Sequence, residues 1–138
     1  MSEKINSSQA PEPVGAYPHA RKVGNLLFLS GVGPRKRDSK EIPGVTLGEN
    51  GNIFAYDIEM QCHSVFQNVK LVLEASGSHW ENLVDVTVFL TNMKADFPIF
   101  NKVYAEYFKE NQPCRTTVEI NALPTPIAIE LKCIAIVK

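Results

Sequence analysis

Between Ile127 and Val137 the residues alternate as in a strand. Ile127, Ile129, Leu131 and Cys133 fall on one side, while Ile134 and Ile136 share the other side with Glu130. Apolar residues on both sides place such a strand inside a sheet whose two faces are both covered. Any fold proposed for this chain has to supply both covers.

The rest of the chain shows where they could come from. Ala20 to Val23 and Leu26 to Ser30 flank Gly24-Asn25, two residues that tolerate positive φ and suit a tight hairpin turn. Ile58, Cys62, Val65, Phe66, Val69, Val72 and Leu73 recur at helical spacing, with Asp57 as N-cap and Gly77 as stop. Val84, Val86, Val88 and Leu90 alternate with Asp85 and Thr87 as in a half-buried strand. Asp96, with Pro98 in the first turn, opens a second helix whose Phe100, Val103, Tyr104, Tyr107 and Phe108 form an apolar stripe that reads as core rather than as a ligand cage. Strand signals at Arg115 to Ile120 and Ile127 to Val137 are joined by the turn-prone Leu123-Pro124-Thr125-Pro126.

The order is therefore β β α β α β β. Parallel neighbours need long crossovers and antiparallel neighbours do not, so helices link parallel strands and short links make antiparallel pairs. This predicts an α+β fold, a mixed sheet with two helices packed on one face. Two helices cover one side only, and the second cover is assigned to another subunit. Residues 1–14, polar and containing Pro11 and Pro13, read as an extended N-terminal arm, and 15–138 as a single domain. The Gly-, Pro- and charge-rich stretch from Gly31 to Asp57 reads as a long loop of the functional or mobile kind.

Charge removes several function classes. A net charge of −1 with both signs interspersed gives no field for nucleic acid or an anionic membrane. The local exception, Arg35-Lys36-Arg37, is interrupted by Asp38 and Glu41 and reads as a solvated loop. Three cysteines, Cys62, Cys114 and Cys133, without CxxC spacing argue for a reducing compartment, and no signal-peptide core or long apolar run is visible, so a cytoplasmic address is expected. His19, His63 and His79 are scattered and form no zinc-type set with the cysteines, so no metal site is expected; no G-x-S-x-G elbow occurs. What remains is a charged pair. Arg115 follows Pro113 at a strand start, and Glu130 lies inside a strand between Ile129 and Leu131. On pattern alone Arg115 could equally be a surface ion pair, and Glu130 a solvent-facing strand residue.

The run Pro113-Cys114-Arg115-Thr116-Thr117-Val118-Glu119-Ile120, then Leu123-Pro124, Ile129-Glu130-Leu131 and Ile134-Ala135-Ile136, resembles the C-terminal signature of the Rid (YjgF) family. Gly15-Ala16-Tyr17, Leu29-Ser30-Gly31 and the stretch from Asn101 through Tyr104 to Phe108 look like its other motifs, so the resemblance covers nearly everything after residue 14. Two departures are visible. The segment from Gly33 to Asp57 is longer than in the general imine deaminases of the family, and Thr117 stands where many of those carry Cys. The Arg-Thr-Thr-Val run, the Leu-Pro-x-Pro turn and Leu90-Thr91-Asn92-Met93 look most like the 2-aminomuconate deaminase branch.

The resemblance implies a chorismate-mutase-like fold, a homotrimer with active sites in clefts between subunits, and a cofactor-independent deaminase that hydrolyses enamine or imine acids, with 2-aminomuconate as leading substrate. A broad deaminase of 2-aminoacrylate-like intermediates is the alternative, and a ribonuclease, translation inhibitor or non-catalytic ligand-binding trimer the reading from another class. It implies that Arg115 anchors the substrate carboxylate, a task for which a planar bidentate guanidinium is suited. Glu130 would move protons between water and the departing nitrogen. Tyr17, Ser30, Gly31 and Thr117 join Arg115 in binding the substrate, and Asn101 organises the subunit contact.

Overall fold

The computed structural model describes residues 2–138. Among them the strands and helices follow as β1 (Ser2–Ile5), β2 (Ala20–Val23), β3 (Leu26–Leu29), β4 (Val45–Leu47), β5 (Ile53–Tyr56), α1 (Ile58–Ala75), β6 (Leu83–Leu90), α2 (Met93–Tyr107), β7 (Cys114–Glu119) and β8 (Ile129–Ile136). Six strands form one sheet in the order β1-β2-β3-β8-β6-β7, and β4 and β5 form a separate hairpin. Only β6 and β7 run parallel, with α2 as their crossover; the other pairs are antiparallel. Both helices lie on one face, α1 against β8 and α2 against β6, and they pack on each other. The mixed α+β sheet with two helices on one face is the fold expected from the pattern.

The strand with two apolar sides is central. Ile129, Leu131, Cys133 and Ala135 of β8 are buried with Val86, Val88 and Leu90 of β6 and Leu27 and Leu29 of β3. Ile134 and Ile136 are half-buried on the face that the helices leave open. This placement corrects one expectation. The Leu123–Pro126 link does not join sheet neighbours, because β8 inserts between β3 and β6, two places from β7. The residues explain the choice: β8 has apolar side chains for both faces, whereas β7, with Thr116 and Glu119, is suited to an edge.

Local signals account for the helix ends. Asp57 caps α1 by accepting from the Met60 N–H, and Gly77 ends it at φ +74°, with Ser78 N–H donating to Leu73 O at 2.8 Å. α2 begins earlier than expected. Asn92 is its cap, accepting from Ala95 N–H at 3.1 Å, and Asp96 points inward to accept from the Tyr56 hydroxyl at 2.7 Å. In β6 a register shift between Leu83 and Asp85 turns Val84 outward and gives Leu83 its buried place.

Two further expectations are corrected. The N-terminal arm is not separate from the domain: β1 pairs with β2 at the sheet edge, and Ala10 is 1% exposed within the core. The Arg35–Arg37 cluster is not a solvated loop. Arg37 donates to Ala10 O (2.8 Å) and Ser7 O (2.9 Å) and pairs with Glu12 (2.9 Å), while Arg35 donates to Glu12 O (2.9 Å). Only Lys36 of the three is exposed. These guanidiniums satisfy carbonyls that a Pro-containing arm, unable to form a regular ladder throughout, leaves open. The long loop also contains the unexpected β4–β5 hairpin, with Phe54 80% exposed.

Candidate active site

Glu130 stands near the start of β8 on the face away from the helices, paired with Phe89 of β6. Just past β3, Val32 bridges to Leu131 by two hydrogen bonds of 2.8 and 2.9 Å, which brings Ser30, Gly31 and Gly33 alongside Glu130. A Cβ at residue 31 would lie 2.5 Å from Glu130 Oε2, so the carboxylate occupies space that only glycine leaves free. A cavity of about 340 Å³ opens here, lined among others by Tyr17, Ser30, Gly31, Arg35, Thr125 and Glu130.

The groups in this cavity differ in what they still offer. Ser30 Oγ donates to Pro18 O (2.7 Å) and retains lone pairs to accept; the Tyr17 hydroxyl accepts from Val14 N–H (3.2 Å) and keeps its own proton to donate. Burial pushes the Glu130 carboxyl above its ordinary 4.5, and the Arg35 guanidinium pulls the other way. Among the described residues Glu130 is in no ion pair, unlike Glu12, which pairs with Arg37. A carboxylate held this way can take a proton from water and give it back.

Arg115 is elsewhere. It pairs with Val86 of β6, which pairs in turn with Cys133 of β8, so Arg115 is on the helix side of the sheet and Glu130 on the other. Its guanidinium lies 4.6 Å from the Tyr104 ring centroid, 5.4 Å from Phe100 and 5.7 Å from Phe97, and Nη1 donates to Asn101 Oδ1 at 2.9 Å. The aromatic stripe of α2 is core, as expected, and also the platform for this cation. Arg115, Asn101 and Tyr104 line a second cavity of about 470 Å³. The hydroxyls of Thr117, two residues along β7, and Tyr104 are buried without a hydrogen-bond partner; burial pushes the Tyr104 phenol up to about 12 despite the opposing Arg115 charge.

The expected site residues therefore fall into two groups. Tyr17, Ser30, Gly31 and Glu130 share one cavity on the open face, while Arg115, Asn101 and Thr117 lie together on the helix side at edge strand β7. Arg35 was missed by sequence reasoning. The signal that could have found it is in α1, where Ser64 and Asn68, four residues apart on the buried stripe, have no apolar reason to be there. Both hold the Arg35 segment: Ser64 Oγ donates to Pro34 O (2.7 Å), and Asn68 Nδ2 donates to Gly33 O (2.8 Å) and Arg35 O (2.6 Å).

A larger depression of about 530 Å³ lies over the outer face of α1 beside Lys36, Met60 and Leu71, but no carboxylate lines it. Among the described residues no cluster of His, Cys, Asp and Glu could hold a metal ion, and no helix is long and apolar enough to cross a membrane.

A mixed sheet backed by two helices, with a carboxylate-lined cavity on its open face and an arginine over aromatic rings at its edge, defines a chorismate-mutase-like α+β protein. The family model described as Endoribonuclease L-PSP matches residues 7–137, and the chain belongs to this family, which includes the Rid, YjgF and RutC proteins. A RutC family protein of Pyrococcus horikoshii is 41% identical, the match covering 98% of each chain. Reactive Intermediate Deaminase A, chloroplastic, of Arabidopsis thaliana is 36% identical over 96% of this chain and 65% of its own length. The crystal structure of the yeast protein YEO7 superposes with a TM-score of 0.87 at 36% identity, covering 100% of both chains.

Proposed function

We propose that this chain is a cofactor-independent deaminase that hydrolyses an enamine or imine acid to the oxo acid and ammonia, with 2-aminomuconate as its substrate. In this reading it works as a homotrimer in which Arg115 of one copy completes the Glu130 cavity of the next. The observation that carries the reading is the Glu130 cavity: a half-buried, unpaired carboxyl with a hydroxyl donor and a hydroxyl acceptor beside it.

The chemistry follows from these groups. The imine first takes a proton from the Glu130 carboxyl at nitrogen to become the iminium; water then adds to its carbon while the Glu130 carboxylate takes water's proton, and the carbinolamine nitrogen receives that proton and becomes an ammonium leaving group. The C–N bond breaks as the hydroxyl oxygen forms the carbonyl, its proton passes to Glu130, and ammonia leaves. An enamine enters the same cycle by taking that proton at carbon to become the iminium. Arg115 holds the substrate carboxylate in its planar fork and so fixes the C=N carbon relative to water. The Thr117 hydroxyl, buried and without a hydrogen-bond partner, stands two residues along β7 from Arg115 on the same side of the sheet.

Assembly is supported by the sheet. Arg115 and Glu130 are on opposite faces of one chain, so one substrate reaches both only across an interface. The open face carries exposed Val23, Leu26 and Val118 beside half-buried Phe28, Ile134 and Ile136, an apolar surface of the kind that subunits cover. A relative's name, Reactive Intermediate Deaminase A, supports the reaction class. The family model's endoribonuclease name raises RNA cleavage, which the charge of −1 and the arm-bound Arg37 do not favour.

A coupled assay tests the proposal. Enzymatically generated 2-aminomuconate should release ammonia well above background, and no rate above background contradicts it. Arg115→Lys, which loses the planar fork, is expected to raise KM about 10-fold or more. Glu130→Gln should lower kcat by about 100-fold or more with assembly intact.

A further inference from the structure

We propose that Arg35 binds a second anionic group of the substrate and so makes dicarboxylic acids the preferred class. The assignment rests on the proposed function for the first carboxylate, which Arg115 takes, and concerns the far end of the molecule.

Arg35 lines the same cavity as Glu130, Tyr17 and Ser30, but its guanidinium makes no ion pair with Glu130. Its one protein hydrogen bond among the described residues runs from Nη2 to Glu12 O, so most of its five N–H donors are unspent. The residue is half-buried and its backbone is fixed. The buried Asn68 donates to the carbonyls on both sides of Pro34, at Gly33 and Arg35, and Ser64 donates to Pro34 itself. Placing two polar side chains on the buried stripe of α1 to hold three successive loop carbonyls, the last that of Arg35, costs packing that an ordinary surface arginine would not require. A guanidinium on a fixed backbone, tethered at Nη2 to Glu12 O, loses less rotamer freedom on binding than a free surface arginine and can match a carboxylate in two parallel hydrogen bonds. A monoacid bound at Arg115 leaves the unspent Arg35 donors unmatched, whereas a diacid reaching past Glu130 meets them.

Titration calorimetry with two unreactive six-carbon dienoic acids isolates this contribution. cis,cis-Muconate carries a carboxylate at each end and hexa-2,4-dienoate at one end only. The wild-type chain should bind muconate about 10-fold or more tightly than hexadienoate, as expected for a charge-assisted pair. Arg35→Gln should bring that ratio close to one. Arg37→Gln, which loosens the same N-terminal arm at Ser7, Ala10 and Glu12 without removing the cavity cation, should keep the ratio, and so separates anion binding from arm anchoring. A wild-type ratio near one overturns the proposal, as does a ratio that survives in Arg35→Gln or is lost equally in Arg37→Gln. Because the titration reads binding alone, a chain that prefers the diacid yet releases no ammonia contradicts the proposed chemistry and leaves the Arg35 assignment standing.

Discussion

One methyl group at residue 31 would collide with the carboxylate on which the proposed chemistry depends. Gly31→Ala would place its Cβ 2.5 Å from Glu130 Oε2 and 2.9 Å from Cδ, and the side chain that must yield is Glu130 itself. The substitution is expected to leave the fold intact and lower kcat about 10- to 100-fold, a small displacement of a catalytic group being that costly; a wild-type kcat would show that the carboxylate works from another position. Residues of this kind were readable in part. Arg115 and Glu130 stand out as charges in strand-like runs, and family motifs gave them roles. Their placement on opposite faces was not readable, because it depends on which strands pair and in what register, which local patterning does not encode. Arg35 was hidden by its neighbours, since three consecutive basic residues look alike until the carbonyls they meet are known.

Helices were legible because their caps and stripes are local. Asp57, Gly77 and the spacing from Ile58 to Leu73 define α1 without reference to anything distant. The start of α2 was misread because Asp96 is a good cap in isolation, whereas Asn92 does the capping and Asp96 serves a long-range contact with Tyr56. That contact ties the β4–β5 hairpin to α2. The hairpin itself was not legible: Leu47 and Phe54 are exposed, so no alternation marks its strands. Burial holds the Asp96 carboxyl above its ordinary 3.8, with the Tyr56 hydrogen bond opposing. The folded chain thus holds this proton more tightly than the unfolded chain. The stabilisation it brings is complete below about 3.8 and is lost as pH rises through the higher folded value. Asp96→Asn retains an oxygen for Tyr56 and removes the titration, so urea unfolding at pH 4 and pH 7 should show a smaller loss of stability across that interval than in the wild type. An unchanged pH dependence would mean that the group is not strained by burial. On the same helix pair, Phe66 is fully buried, its centroid 4.5 Å from Tyr107 and about 6 Å from Trp80, Tyr104 and Phe108. Phe66→Ala should cost about 3–5 kcal/mol in the same measurement.

At the scale of the whole molecule, the helices account for one face of the sheet, and a cover for the other is proposed on the apolar Ile134 and Ile136. Their pattern carries no number of copies, because an apolar face records burial and no symmetry. In the proposed trimer the open face is interior. Ile134→Lys should therefore yield monomers in sedimentation and remove activity together, while a fully active monomer would contradict a site shared between copies. The shared site has a sharper test. Arg115→Ala and Glu130→Gln chains, each inactive alone, are mixed, dissociated and reassembled, and ammonia release is measured. If Arg115 of one copy serves Glu130 of another, random assembly regenerates intact sites and returns up to about a quarter of the wild-type rate. No recovery from assemblies shown to contain both chains would contradict it.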